Sequence, residues 1–376
     1  MRVVIAAAGT GGHINPGIAI ANKIKEEEPD SEIIFIGTPR GLENDLVPRA
    51  GYKLEKIESY GINRKINIDN IKRLYKTIKS IKQAKIILEK FKPDVVIGTG
   101  GYICISVGEA AKKLHIPIVL HESNAFPGVS IKLLSKNADK VLVSFNEAKE
   151  RLNKAKKVVV TGTPTKIKRM EISIKEKEDQ QKKLGFKNLD KPLVLVFGGS
   201  QGAQSINRTI LGIIEKNLNT NYRIVWAAGK GNFEKIEEEL KQKNIDINKI
   251  EDIKILPYIY NMQEVMNSSD LVVCRSGAMT VTEISILGKP AIFVPFPFAA
   301  ENHQEYNAKV LEKVNAAKII LDKDLTCENL NNTINEIVID NSKLEKMSKN
   351  AQKVAKFNVE EKIYTEIKET VSSIKK

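Results

Sequence analysis

No stretch of this chain approaches the ~18–20 consecutive apolar residues that cross a bilayer. The opening apolar run, Val3 to Ala8, is short and breaks into Gly9, Gly11 and Gly12, which predicts a first strand and not a signal peptide. Cysteine is scarce: Cys104, Cys274 and Cys327 lie far apart with no paired spacing. That argues against a disulfide framework or a thiolate zinc site and makes a reducing compartment the default. The four histidines are scattered, and no cluster with metal-ligand spacing predicts a bound metal. Neither a Walker lysine loop nor a Gly-x-Gly-x-x-Gly fingerprint is present, so nothing calls for a dinucleotide cofactor. Low-complexity tracts and short-period repeats are also missing. What is in excess is positive charge: 60 basic against 46 acidic residues, a net charge of +14 over 376 residues. Such a balance points to an anionic partner without naming it: nucleic acid, an acidic membrane or a phosphorylated ligand.

Short apolar strands alternate with helical segments. Val3–Ala8, Ile33–Ile36, Asp94–Ile97, Ile116–His121, Lys140–Val143 and Val158–Thr161 are predicted strands, with a helix over Ile18–Glu28 opened by Asn15-Pro16. From about Pro164 to Lys191 the rhythm gives way to a polar, charged stretch. It restarts at Leu193–Phe197, Arg223–Ala227, Lys254–Leu256, Leu271–Cys274 and Ala291–Val294. The pattern predicts an α/β protein of two doubly wound, Rossmann-like domains, with ligands expected beyond the carboxyl ends of the strands.

Strand ends carry the residues with chemistry. The first loop is Gly9-Thr10-Gly11-Gly12-His13. Its glycines let a ligand approach the backbone, and a following helix N-terminus favours negative charge. His13 could take a proton from a hydroxyl near neutral pH, or serve only as a local cap. Gly98-Thr99-Gly100-Gly101-Tyr102 and His121-Glu122-Ser123-Asn124 end two further strands on the same edge. In the second half, Gly198-Gly199-Ser200-Gln201-Gly202 suits a diphosphate. Arg275-Ser276-Gly277-Ala278 opens a helix carrying Thr280, Thr282 and Glu283. Glu283 could hold a ribose diol or simply complement the helix dipole. Glu301 to Asn307 forms a polar cluster after Pro295-Phe296-Pro297.

Between Arg64 and Lys85 stand eight basic residues and one acid, Asp69. Ile68, Ile71, Leu74, Tyr75, Ile78 and Ile81 fall on one helical face, with Lys72, Arg73, Lys76 and Lys79 off it. Basic amphipathic helices of this kind bind anionic membrane surfaces; the alternative is a helix packing its apolar stripe on the sheet.

In order and spacing, Gly9–His13, Gly100–Tyr102, His121–Asn124, Gly198–Gly202, Arg275–Glu283 and His303–Asn307 resemble the MurG family of glycosyltransferases, from about Arg2 to Ala308. The resemblance implies a GT-B fold: residues 1–163 form an acceptor and membrane-associated domain, residues 164–358 a UDP-GlcNAc-binding domain. A final helix, about 359–376, returns to the first domain. It implies inverting, metal-independent transfer of N-acetylglucosamine from UDP-GlcNAc to the 4-hydroxyl of undecaprenyl-pyrophosphoryl-MurNAc-pentapeptide, lipid I to lipid II. The protein would then sit peripherally on the cytoplasmic face of the cell membrane, with no nucleic-acid partner. Carried over by position, donor contacts are Thr10, Gly11, Gly12, Asn124, Lys166, Ser200, Ile259, Ala278, Met279, Thr280, Val281, Thr282, Glu283 and Gln304. His13 is the implied general base, assisted by Glu122, and Tyr102 helps to place the acceptor. Two positions depart from the family pattern. Gly162-Thr163-Pro164-Thr165-Lys166 stands where Gly-Asn-Pro-Val-Arg is common, and Ser123 where glutamine often follows His-Glu. Lys166 keeps the charge but not the bidentate fork of arginine. A related enzyme of the same fold acting on another lipid would carry similar donor loops. A nucleotide-sugar binder or a basic nucleic-acid binder without catalysis would not need six such motifs at strand ends.

Overall fold

The computed structural model describes residues 1–59, 68–199 and 202–374. Contacts divide the chain into two units, residues 1–165 with 356–376, and residues 166–355. In the first unit, β1 (Arg2–Ala7), β2 (Glu32–Gly37), β3 (Lys53–Lys56), β4 (Val95–Gly100), β5 (Ile118–Glu122), β6 (Lys140–Val143) and β7 (Val158–Val160) form a parallel sheet. Its order is β3-β2-β1-β4-β5-β6-β7. In the second unit, β8 (Leu193–Phe197), β9 (Arg223–Ala227), β10 (Ile253–Leu256), β11 (Leu271–Cys274), β12 (Ala291–Phe293) and β13 (Ala317–Ile319) run β10-β9-β8-β11-β12-β13, again all parallel. Each unit is therefore a doubly wound sheet. The order reverses between β1 and β4 in one and between β8 and β11 in the other, where such sheets leave a crevice beyond the strand ends.

Burial on both faces explains the unbroken apolar runs. Val3, Ile5 and Ala7 pack into one layer with Ile33 and Phe35, while Val4 and Ala6 pack into the other with Ile34 and Ile36. The helix Val359–Ile374 closes the first layer through Val359, Ile363, Ile367 and Val371, a four-residue repeat along one face. Lys140 holds this helix by donating to the carboxylates of Glu366 at 2.6 Å and Glu369 at 2.8 Å.

One sequence expectation is corrected. The first helix starts at Gly11, not near Ile18, and runs to Glu27 with Pro16 inside it. Thr10 is extended and its carbonyl already takes the His13 and Ile14 amides at 3.0 and 3.2 Å. The glycines thus form the first turn itself, and His13 rides on the helix. The long basic helix, Ile68–Phe91, faces the core through Ser80, Ala84 and Leu88, with Ile81 half-buried beside them. Small residues allow close approach to the helix Ile103–Lys113, where the Ser80 and Ser106 hydroxyls meet at 2.7 Å. Ile78 is 49% exposed and Ile86 65% exposed, away from that stripe.

Candidate active site

At the reversal point of the first unit, the ends of β1 and β4 meet with a register shift between Ala6 and Ala7. Ala6 pairs with Gly98 and Ala7 with Gly100, so Thr99 is the extra residue. Its hydroxyl donates to the His13 carbonyl at 2.7 Å and pins the start of the first helix to β4. The His13 ring lies across Gly100: a Cβ there would stand 2.3 Å from its Cδ2. His13 Nδ1 lies 3.1 Å from the Ala8 carbonyl oxygen. A carbonyl only accepts, so Nδ1 carries the proton and the neutral ring leaves Nε2 as its bare base. Burial lowers the His13 pKa below the ordinary histidine value, outweighing the opposing pull of the Ala8 bond and of Glu43. The imidazole is therefore neutral at pH 7, the state a general base needs. Thr10 and Gly12 are exposed on this turn, Gly11 is half-buried, and Tyr102 is 43% exposed at the entry to the next helix.

Glu43 belongs to this site although the sequence did not mark it. It is fully buried, opens the short helix Glu43–Arg49, and accepts the Gly9 amide on Oε2 at 2.9 Å. The Thr38 amide and hydroxyl donate to Oε1 at 2.9 and 2.6 Å. Burial pushes its pKa up, but these donors outweigh that and hold it below the usual carboxylate value.

At the end of β5, Glu122 is 4% exposed. Its Oε1 accepts the Asn124 amide at 2.8 Å and the Asn124 side-chain amide at 3.0 Å; Oε2 accepts the Gly128 amide at 2.7 Å. The carboxylate thus builds the turn that carries Asn124. His121 is fully buried and its Nε2 donates to the Gly162 carbonyl at 3.0 Å. Burial pushes its pKa down to about 4.

In the second unit, Gly198 and Gly202 are shaped by close contact. A Cβ on Gly198 would stand 2.3 Å from the Ala203 nitrogen; one on Gly202, at φ +75°, 2.4 Å from the Ala228 oxygen. The expected contact Ser200, with its neighbour Gln201, lies outside the described residues. The helix Gln204–Glu215 begins after Ala203 with no side-chain cap. Beyond β11, the helix Ala278–Leu287 begins after Gly277, again with no side-chain cap and no acid in its first turn. Two helix N-termini without a side-chain cap from their N-cap residues thus flank the reversal point, an arrangement that favours an anion. Ala278, Val281 and Thr282 are buried; Met279, Thr280 and Glu283 are half-buried along this helix. Arg275 is engaged internally, donating to the Val294 and Pro295 carbonyls, each at 3.0 Å, and pairing with Asp322 at 2.6 Å. That pairing occupies the first acid of an Asp-Lys-Asp triplet, Asp322–Asp324. Ser276 donates to the Gln304 carbonyl at 2.8 Å, and the Gln304 side chain accepts the Phe296 amide at 3.0 Å. Ile259 is 5% exposed, between Tyr258 and the 78% exposed Tyr260. Lys166 is exposed in an irregular segment.

Of the basic helix, the side chains of Ile68, Ile71, Lys72, Arg73, Leu74 and Tyr75 lie outside the described set, as do Arg64 and Lys65. Lys76 and Ile78 are exposed.

The glycosyltransferase family 28 N-terminal domain matches residues 3–143, and the family 28 C-terminal domain matches residues 193–363. The chain belongs to glycosyltransferase family 28. Within family 28 its similarity is to proteins named UDP-N-acetylglucosamine--N-acetylmuramyl-(pentapeptide) pyrophosphoryl-undecaprenol N-acetylglucosamine transferase. One, from Thermoanaerobacter, is 45% identical over 368 residues, 98% of this chain and 99% of that one. Another, from Acetivibrio thermocellus, is 42% identical over 374 residues, 99% of each. The crystal structure of Acinetobacter baumannii MurG matches with a TM-score of 0.77 at 29% identity, covering 98% of this chain and 99% of that one. Two doubly wound units are the GT-B fold of that protein. Gly198–Gly202 also spells the Gly-x-Ser-x-Gly pattern of serine-hydrolase turns, a class the family 28 match does not point to.

Proposed function

We propose that this protein transfers N-acetylglucosamine from UDP-GlcNAc to the 4-hydroxyl of the undecaprenyl-pyrophosphoryl-MurNAc-pentapeptide, converting lipid I to lipid II in peptidoglycan synthesis. The observation that carries the reading is the pair of glycine-shaped reversal points, within a chain up to 45% identical to transferases of that name along its whole length. His13 Nε2 takes the proton from the acceptor hydroxyl. The acceptor oxygen forms its bond to the sugar C1 as the bond from C1 to the UDP oxygen breaks. A single displacement inverts the configuration at C1. The charge gathering on the departing diphosphate is met by the uncapped helix N-termini at Gln204 and Ala278, so the chemistry needs no metal ion.

On this reading residues 1–163, with the returning helix, hold the acceptor, and residues 164–358 hold the donor. Glu283 takes the ribose diol. Ile259 meets the uracil through its backbone, which its buried side chain leaves for that purpose. Thr10, Gly11, Gly12, Asn124, Lys166, Ser200, Ala278 through Thr282 and Gln304 complete the donor contacts. Tyr102 places the acceptor, and Glu122 serves by fixing the Asn124 turn. A lipid-borne acceptor also gives the basic helix a purpose. We infer that Lys72, Arg73, Lys76 and the apolar residues Ile68, Ile71, Leu74, Tyr75 and Ile78 rest on the anionic cytoplasmic surface of the membrane.

Offering the enzyme labelled UDP-GlcNAc with a short-chain lipid I analogue and, separately, with diacylglycerol tests the acceptor. Transfer to lipid I alone is expected; transfer to diacylglycerol alone would overturn the assignment.

A further inference from the structure

Glu43 is a fully buried carboxylate that, among the described residues, is met by amides and a hydroxyl and by no lysine or arginine. Burying such a charge is costly, and the surroundings are cut to hold it. A Cβ on Gly37 would stand 2.7 Å from Glu43 Cγ, and one on Gly41 would stand 1.9 Å from its Oε2. Asn44 closes the turn around it by donating to the Thr38 and Gly41 carbonyls at 2.9 and 3.0 Å.

The amide that Glu43 accepts belongs to Gly9, 34 residues away. The carbonyl that His13 Nδ1 meets belongs to Ala8. These two groups are opposite ends of one peptide unit. The chain of contacts is therefore Glu43 carboxylate, Gly9 N–H, Ala8 C=O, His13 Nδ1–H. A planar, conjugated amide passes polarisation from one end to the other: an anion at the N–H makes the carbonyl a stronger acceptor. Gly101 backs the same carbonyl closely, since a Cβ there would lie 2.7 Å from the Ala8 oxygen.

We propose that Glu43 is the positioning residue for His13, acting through the Ala8–Gly9 peptide to fix the imidazole with Nε2 bare and to strengthen it as a base. This rests on His13 as the general base of the proposed transfer. Glu43 is the charged group that bears on His13; Thr99 and Gly100, which pack on it from β4, are uncharged. Its anionic field raises the imidazole pKa against burial, so removing the charge moves the titration to lower pH.

The test uses 15N-histidine-labelled protein, with His13 assigned by His13→Ala, and the pH profile of transfer to a short-chain lipid I analogue. In the wild type at pH 7.5, His13 is expected as the Nδ1–H tautomer, with the Gly9 amide proton shifted downfield by its carboxylate acceptor. In Glu43→Gln the His13 midpoint is expected to fall by about half a pH unit or more. The acid limb of kcat/KM falls with it while the plateau rate drops severalfold, and Glu43→Asp, which keeps the charge, restores much of the shift. In a His13→Ala background, Glu43→Gln should change the residual rate less than about twofold. Lower activity with an unmoved His13 midpoint and acid limb would make Glu43 scaffold only and overturn the proposal. An Nε2–H tautomer, or an ordinary Gly9 amide shift, in the wild type would overturn it even if Glu43→Gln fails to fold. Undiminished transfer by His13→Ala would remove His13 as the base, while the His13 midpoint in Glu43→Gln would still decide whether Glu43 acts on it.

Discussion

Gly100 sets the tolerance of the site at the scale of single residues. It has φ +132° and holds the His13 ring where its own side chain would be. Gly100→Ala is expected to displace the imidazole, cutting transfer about tenfold or more while UDP affinity stays unchanged; equilibrium binding beside the transfer assay checks the split. Gly202→Ala should do the reverse: its Cβ would press on the Ala228 carbonyl, and UDP affinity should fall in a calorimetric titration. The glycines were legible in the sequence because they follow apolar runs and precede helices. Glu43 was not. Gly41-Leu42-Glu43 reads as an exposed turn followed by a helix-start acid, and only the long-range contact with Gly9 reveals its burial. The capping pair Ser173 and Glu176, by contrast, was written in the chain: each meets the other's backbone amide, and the spacing is that of a capping box.

At the scale of elements, the alternation of strand and helix was legible because both sheet faces are covered and the strands read as continuous apolar runs. Lys53–Lys56 escaped notice as β3 because a short edge strand reading Lys-Leu-Glu-Lys carries no such run. The start of the first helix was misplaced because Pro16 is a good first-turn residue elsewhere, while here the glycines before it are already helical. His121 ties β5 to Gly162, whose φ is +105° and whose Cβ would meet Val359 at 2.8 Å and Lys356 at 2.9 Å. This contact joins the chain leaving the first unit to the chain returning to it. The folded His121 pKa, about 4, lies below the ordinary histidine value of 6.5. Between those values the unfolded chain binds the extra proton, so stability is full above about pH 6.5 and declines as pH falls toward 4. The loss amounts to about 3 kcal/mol at one unit per ~1.4 kcal/mol. Urea midpoints measured from pH 7 to 4 should show it, and His121→Gln should flatten that part of the curve.

For the whole molecule, the proposed membrane contact draws on the net charge of +14 and the exposed Ile78, and no helix among the described residues is long and apolar enough to cross a membrane. Ile78→Glu is expected to weaken sedimentation with anionic vesicles severalfold while transfer to a water-soluble acceptor is unchanged. Loss of vesicle binding as salt rises should accompany the wild type. The side-chain face of the basic helix was only partly legible, because helical periodicity alone does not say which of two apolar stripes meets the core; Ser80 and Ala84 do, being small enough to pack closely. The central claim is that one chain joins a hydroxyl-activating turn at His13 to a diphosphate-receiving pair of helix ends. Its most direct test is the rate of labelled N-acetylglucosamine transfer from UDP-GlcNAc to a short-chain lipid I analogue, with EDTA present, by wild type and His13→Ala. The account predicts metal-free transfer by the wild type and a loss of about a hundredfold or more in the variant. Transfer that stops in EDTA, or that survives in His13→Ala, would contradict it.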